Sequence, residues 1–168
     1  MILALDIAFA NLGWAVLHEG ELIAIGVIRT EKDKRKSTRS SDDKAARAAV
    51  LSSGLIKVIN EYKPSGIVGE LPHGSINASA ANLLGYASGV VVAIATAFNL
   101  PCEWISEGES KLAAIGKRTG TKTEMMKWAA GAFEVGSISE NKSRFEHIAD
   151  ALAAYNGLRN GILVRAFG

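Results

Sequence analysis

Hydrophobic positions open the chain in short runs rather than at helical spacing. Met1 to Leu5, Gly13 to His18 and Leu22 to Arg29 are apolar stretches of strand length, with turns around Ala10–Asn11 and Glu19–Gly20. Sequential strands joined by short turns predict an antiparallel meander. From Ala46 the period changes. Ala46, Val50, Leu51, Leu55, Val58 and Ile59 recur at helical spacing, with Asp42 or Asp43 as the expected cap and Pro64 just past the end. Gly66 to Leu71 reads as a fourth strand and Cys102 to Ile105, behind Pro101, as a fifth. Between them, Ala78 to Asn99 is a long helix rich in Ala, Gly and Ser, whose small side chains allow close packing on another element or another subunit. Helices over Glu107 to Ile115, Thr123 to Phe133 and Phe145 to Asn160 complete the pattern. The order βββαβαβααα predicts an α/β fold, a mixed sheet with helices on both faces. With no internal repeat or low-complexity linker, residues 1–168 are expected to form a single domain.

Composition narrows the class only slightly. Hydrophobic residues make up 48% of the chain, enough for a sizeable core, and net charge is only +2, so any nucleic-acid surface must come from local clusters. One cysteine, Cys102, excludes an internal disulfide and a zinc site built on several cysteines. No basic leader precedes the first strand, and the apolar stretch around Val90 to Phe98 is too short to span a bilayer. A cytoplasmic protein with no membrane partner is expected.

The candidate chemistry lies in acids set among apolar residues. Asp6 closes the first strand, and Glu70 repeats the situation in the fourth. A carboxylate in a central apolar strand is costly unless something pairs with it. These strands are expected side by side in the middle of the sheet. In the last helix His147 and Asp150 are three residues apart and share a face, and Asp150 sits within Ile148-Ala149-Asp150-Ala151-Leu152. Three acids and an imidazole suit Mg²⁺ or Mn²⁺, the latter accepting imidazole readily. Two such ions about 4 Å apart can activate water and stabilise the leaving oxygen of a phosphodiester. Each residue taken singly also has an ordinary reading, as a strand-end acid, a surface histidine or a paired aspartate; the joint pattern is what points to a metal site.

The segments Ile2-Leu3-Ala4-Leu5-Asp6 with Gly13-Trp14-Ala15-Val16, then Ile67-Val68-Gly69-Glu70, then His147-Ile148-Ala149-Asp150-Ala151-Leu152 resemble the RuvC-type Holliday-junction resolvases of the RNase H-like superfamily. The resemblance runs over nearly the whole chain. It implies a five-stranded mixed sheet, three antiparallel strands followed by two parallel ones. It also implies Asp6, Glu70, His147 and Asp150 as catalytic metal ligands holding two Mg²⁺ or Mn²⁺ ions, and a homodimer formed through the Ala78–Asn99 helix. That dimer would cut a four-way DNA junction symmetrically in recombination and repair. Lys111 and Lys122, with Ile115-Gly116 between them, are similar to the family's DNA-contacting segment. The chain departs from the family pattern after both strand acids, with Asp6-Ile7-Ala8 in place of Asp-Pro-Gly and with Leu71-Pro72-His73 after Glu70. Such divergence suits a phage-encoded or otherwise mobile homologue.

Beyond the acids, Lys111, Lys117, Arg118, Lys122 and Lys127 form one basic stretch, and Lys32, Lys34, Arg35, Lys36 and Arg39 another. Phosphate contacts from such groups offset the repulsion between DNA and an acidic centre. Phe9 and His73, with Ile76, are candidates for contacts to bases near the crossover; core packing is the ordinary alternative for Phe9. Competing readings are a less selective nuclease for Y-forks and flaps, and an RNase H-like ribosomal-RNA-processing nuclease. A nucleotide-binding kinase is disfavoured by length and because Lys111 stands where a phosphate loop ending at Gly116-Lys117 needs its first glycine. Gly85-Tyr86-Ala87-Ser88-Gly89 lacks the spacing of a serine-hydrolase elbow.

Overall fold

Strand parity, more than any other feature, decides where the acids go. In the computed structural model, which describes residues 1–71 and 77–168, β1 (Ile2–Asp6), β2 (Asn11–His18) and β3 (Glu21–Arg29) form the meander, β1 and β3 both pairing antiparallel with β2. Glu19 and Gly20 take φ of 52° and 85°, and left-handed residues at both central positions match a tight hairpin turn to the strand twist. β4 (Gly66–Glu70) adds parallel to the free edge of β1, and β5 (Cys102–Ile105) adds parallel to β4, giving the order β3-β2-β1-β4-β5. This is the five-stranded mixed sheet expected.

Successive side chains of a strand point to opposite faces. On one face of the sheet Ile2, Ala4, Ala15, Leu17 and Val68 pack against α5 (Lys142–Gly157), with α4 (Lys122–Ala132) and α6 (Ile162–Phe167) completing that layer. On the other, Leu3, Leu5, Leu12, Val16 and Ile67 pack against α1 (Ser40–Tyr62) and α2 (Ala78–Ala97). Asp6 continues the Ile2–Ala4 series and Glu70 continues from Val68, so both acids belong to the α5 face. α5 itself buries Phe145, Ile148, Ala149, Ala151 and Leu152, and the same helix brings in His147 and Asp150. The remaining helix, α3 (Glu107–Ile115), leaves the end of β5 and packs on α5.

Several boundaries differ from the sequence reading. α1 starts at Ser40 with Arg39 in the cap position and no side-chain cap; neither Asp42 nor Asp43 caps it. Both lie in the first turn, where their charge favours the positive end of the helix dipole, and buried Asp43 instead accepts the Asp33 N–H at 2.7 Å. The expected Phe145–Asn160 helix starts at Lys142 and stops at Gly157, and α6 follows as a separate element. Glu103 of β5 seats α6 by accepting the N–H groups of Ile162 and Leu163 at 3.3 and 3.0 Å. The membrane argument also needs correcting, because α2 as a whole, Ala78–Ala97, is long and apolar enough to cross a bilayer by length and composition. It lies against α1, burying Ala87, Val91, Ile94 and Ala95, while Tyr86 and Val92 are exposed.

Candidate active site

Asp6 and Glu70 are direct partners in the parallel β1–β4 register, each the last residue of its strand. The carboxyl end of a parallel strand pair is where open α/β sheets hold their ligands. α5 crosses the sheet face just there. His147 Nδ1 lies 2.9 Å from Asp6 Oδ2, in a hydrogen bond that the carboxylate accepts, and Asp150 follows one turn on. The approach depends on Gly13, the register partner of Asp6 on β2: a Cβ at Gly13 would run into the His147 carbonyl. From the third side, α3 delivers the Ser110 hydroxyl, which donates to Glu70 Oε2 at 2.9 Å. Lys111 on the same helix pairs with Glu107.

Bringing acids together out of water shifts their ionisation. Burial pushes Glu70 up to about 8 against the pull of the Ser110 hydrogen bond, and Asp6, Asp150 and Glu107 add repulsion. Burial, then Asp6, raises Asp150 to about 7, with Lys111 and His147 opposing. Asp6 is raised too, by burial outweighing the hydrogen bond from His147. His147 is raised chiefly by its bond to Asp6. Both shifts favour a proton on that pair. Lys111 is held above the ordinary lysine value: burial opposes its charge, but Glu107, Asp150 and Glu70 outweigh it. A cluster that holds protons this tightly is short of positive charge, which is the electrostatic condition a divalent cation satisfies.

The donor set also fits such an ion chemically, as hard carboxylate oxygens with one imidazole. In the arrangement described, however, the side chains are turned toward protein partners, Asp6 to His147 and Glu70 to Ser110. Among the described residues no three His, Cys, Asp or Glu side chains are grouped so as to hold a metal ion as they stand.

The other residues singled out from the sequence are spread around this centre. Lys122, at the start of α4, pairs with Glu146 at 3.1 Å, and Glu146 Oε1 is also 3.5 Å from His147 Nε2, so this lysine borders the acids. Lys117 pairs with Glu124, and Arg118 lies beside Gly108 at the start of α3. Phe9 is placed differently from the expectation of a base contact. It is 3% exposed. The Arg47 guanidinium lies 4.5 Å from its ring centroid, with the Tyr86 ring also against it. Its carbonyl accepts the Thr30 hydroxyl at 2.6 Å. A ring so covered has no face for a base, and its role here is to anchor the turn after Asp6. His73 and Ile76 lie outside the described residues. Ser110, Glu107 and Gly13 had not been singled out for the site. Ser106-x-x-Glu109 and Thr121-x-x-Glu124, both visible as sequence patterns, are capping boxes that fix the first turns of α3 and α4.

No family model matches the chain. Individual relatives do. The crossover junction endodeoxyribonuclease RuvC of Rickettsia conorii is 30% identical over 130 residues, 75% of this chain and 78% of the relative. The chain belongs to the RuvC family. The RuvC of Rickettsia akari is 26% identical over 159 residues, covering 92% of this chain and 96% of its own. The fold is shared with Thermus thermophilus RuvC in complex with Holliday junction substrate, at TM-score 0.72 and 19% identity over 93% of this chain and 90% of that one. It is also shared with the yeast mitochondrial Holliday junction resolvase, at TM-score 0.60 and 16% identity over 93% and 77%. Membership of the RuvC family holds despite the sequence departures after Asp6 and Glu70.

Proposed function

We propose that this protein is a cytoplasmic, single-domain endonuclease that resolves Holliday junctions by divalent-metal-dependent hydrolysis of DNA phosphodiesters. The observation that supports this reading most directly is the Asp6–Glu70 register pair with His147 and Asp150 set against it from α5. These four residues would hold the metal, two Mg²⁺ or Mn²⁺ ions per site. When bound, such ions activate the attacking water and stabilise the leaving 3′ oxygen. The chain's own part is to place the ligands and the DNA. To hold an ion, Asp6 would have to be released from its bond to His147, while the paired β1–β4 strands hold the Asp6 and Glu70 backbones in register. Lys111 and Lys122 flank the acids and attract the phosphates either side of the cut, with Lys117 and Arg118 extending the basic surface. Each of the three lysines is paired with a glutamate, so a DNA phosphate competes with an internal anion for it.

Symmetric cutting of two strands requires two copies. The uncovered face of α2 is the proposed dimer surface. Gly85 and Gly89 are open, with nothing within 4 Å of an added Cβ, and exposed Tyr86 and Val92 flank them. A two-fold pair suits the near two-fold symmetry of a four-way junction.

The test incubates the protein with four-way, Y-shaped and linear duplex DNA in Mg²⁺, Mn²⁺ or EDTA. Paired, symmetric nicks in the four-way junction alone, abolished by EDTA, are expected. Equal cutting of the Y-fork would make it a general branch nuclease, and cutting in EDTA would reject metal-dependent hydrolysis. A second expected result concerns the lysines: Lys111→Ala and Lys122→Ala each lower the slope of log affinity against log salt by about 0.9, one phosphate contact fewer. An unchanged slope at either position rejects phosphate contact by that lysine.

A further inference from the structure

Among the described residues the buried polar side chains are Thr30, Asp43 and Ser110. Thr30 and Asp43 serve the segment around Phe9 and the loop before α1. Ser110 alone of the three reaches the acids. It is 1% exposed, in the first turns of α3, under the α3–α5 contact, where a Cβ at Gly157 would already lie 3.5 Å from its Cα. We infer that Ser110 is a positioning residue for metal binding, its hydroxyl fixing the Glu70 carboxylate and locking α3, with Lys111, onto the acid-bearing strands. The inference rests on the reading of Glu70 as a metal ligand.

The hydroxyl has one proton and two acceptors in reach, Glu70 Oε2 and the Glu107 carbonyl, both at 2.9 Å. Back-bonding to a carbonyl of the preceding turn is what a helical serine does by default. That carbonyl is also in place to accept the helical N–H four residues on, from Lys111. In the deprotonated form that a cation requires, the carboxylate carries charge, and a hydrogen bond to a charged acceptor is about twice as strong as one between neutral groups. The proton therefore goes to Glu70. Among the described residues the engaged oxygen is Oε2, so the carboxylate keeps lone pairs for a cation while losing the freedom to rotate away from it. Lys111 is the next residue on α3, so the same bond sets how far this cation stands from the acids. Partners that orient a metal ligand in this way commonly govern affinity for the ion.

The test is calorimetric titration of Mn²⁺ into the intact, DNA-free protein, for wild type, Ser110→Ala, Ser110→Cys and Glu70→Gln, alongside Mg²⁺ titrations of junction cleavage. Ser110→Ala is expected to weaken Mn²⁺ binding roughly 10-fold. It should raise the Mg²⁺ concentration for half-maximal cleavage by a similar factor, and cleavage should recover as Mg²⁺ is raised toward saturation. Ser110→Cys, which keeps the buried volume with a weaker donor, should fall between, and it carries the test if the alanine variant fails to fold. Wild-type Mn²⁺ affinity in both Ser110 variants, together with loss of affinity in Glu70→Gln, overturns the role of Ser110 while leaving Glu70 a ligand. Wild-type affinity in Glu70→Gln overturns the ligand assignment and the inference with it.

Discussion

Asp6→Asn, Glu70→Gln and Asp150→Asn should each reduce junction cleavage in Mg²⁺ by about 10³-fold or more while leaving junction binding intact. The size follows from the role proposed: losing one carboxylate from an ion pair's ligand set removes several kcal/mol of transition-state stabilisation, and each 1.36 kcal/mol is about tenfold in rate. Binding survives because the phosphates are held by lysines, and removing a negative charge from the site eases the approach of DNA. The variants should also remain folded. Burial holds Glu70 at about 8 and Asp150 at about 7, so Gln and Asn there stand in for acids that readily keep a proton, while Asn at position 6 keeps an oxygen that can accept from His147. Near-native cleavage by all three would remove the proposed metal site. Loss of junction binding in step with cleavage would mean that the acids hold DNA rather than ions.

The same electrostatics predicts an inverted pH profile for stability. Glu70 moves from 4.5 to about 8 on folding and Asp150 from 3.8 to about 7, both upward, and Asp6 and His147 shift the same way. The folded chain thus binds protons more tightly than the unfolded chain. This contribution is fully present below the unfolded values and is lost as pH rises through about 7 and then about 8. Melting temperature in EDTA should therefore fall by several degrees between about pH 5 and about pH 8. Saturating Mg²⁺ should restore it increasingly toward the alkaline end, since ligation requires these protons to leave. Glu70→Gln, which has no proton to lose, should flatten the decline. A melting temperature in EDTA that rises over this interval would show that the acids are not crowded in the folded protein.

How much of this could be read from the chain differs element by element. The meander was legible because strand length and turn chemistry are local: Glu19-Gly20 can adopt two consecutive left-handed residues, and the runs on either side are apolar and of strand length. The acids were legible because a carboxylate among apolar neighbours is costly wherever the chain goes. The start of α1 was not, since whether Asp43 caps the helix or takes the Asp33 N–H depends on a loop whose path is set by packing. Phe9 was ambiguous for the same reason. An aromatic after a strand-end acid can face DNA or the core, and Arg47, Thr30 and Tyr86, distant in sequence, decide for the core. The separate helix α6 exists because Glu103 on β5 supplies an acceptor for its first N–H groups.

Sequence alone determined the five strands and the five longer helices, the four residues proposed as ligands and the family they belong to. Each of these is a matter of local period or of residue type at a fixed place along the chain. Only the tertiary structure decided that Asp6 and Glu70 share a register, that Gly13 lets α5 bring His147 against them, and that Ser110 closes the site from α3. These contacts join positions far apart in sequence, and no local propensity encodes them. They follow from burying both faces of one sheet at once, which fixes the parity of each strand and the path of each helix across it.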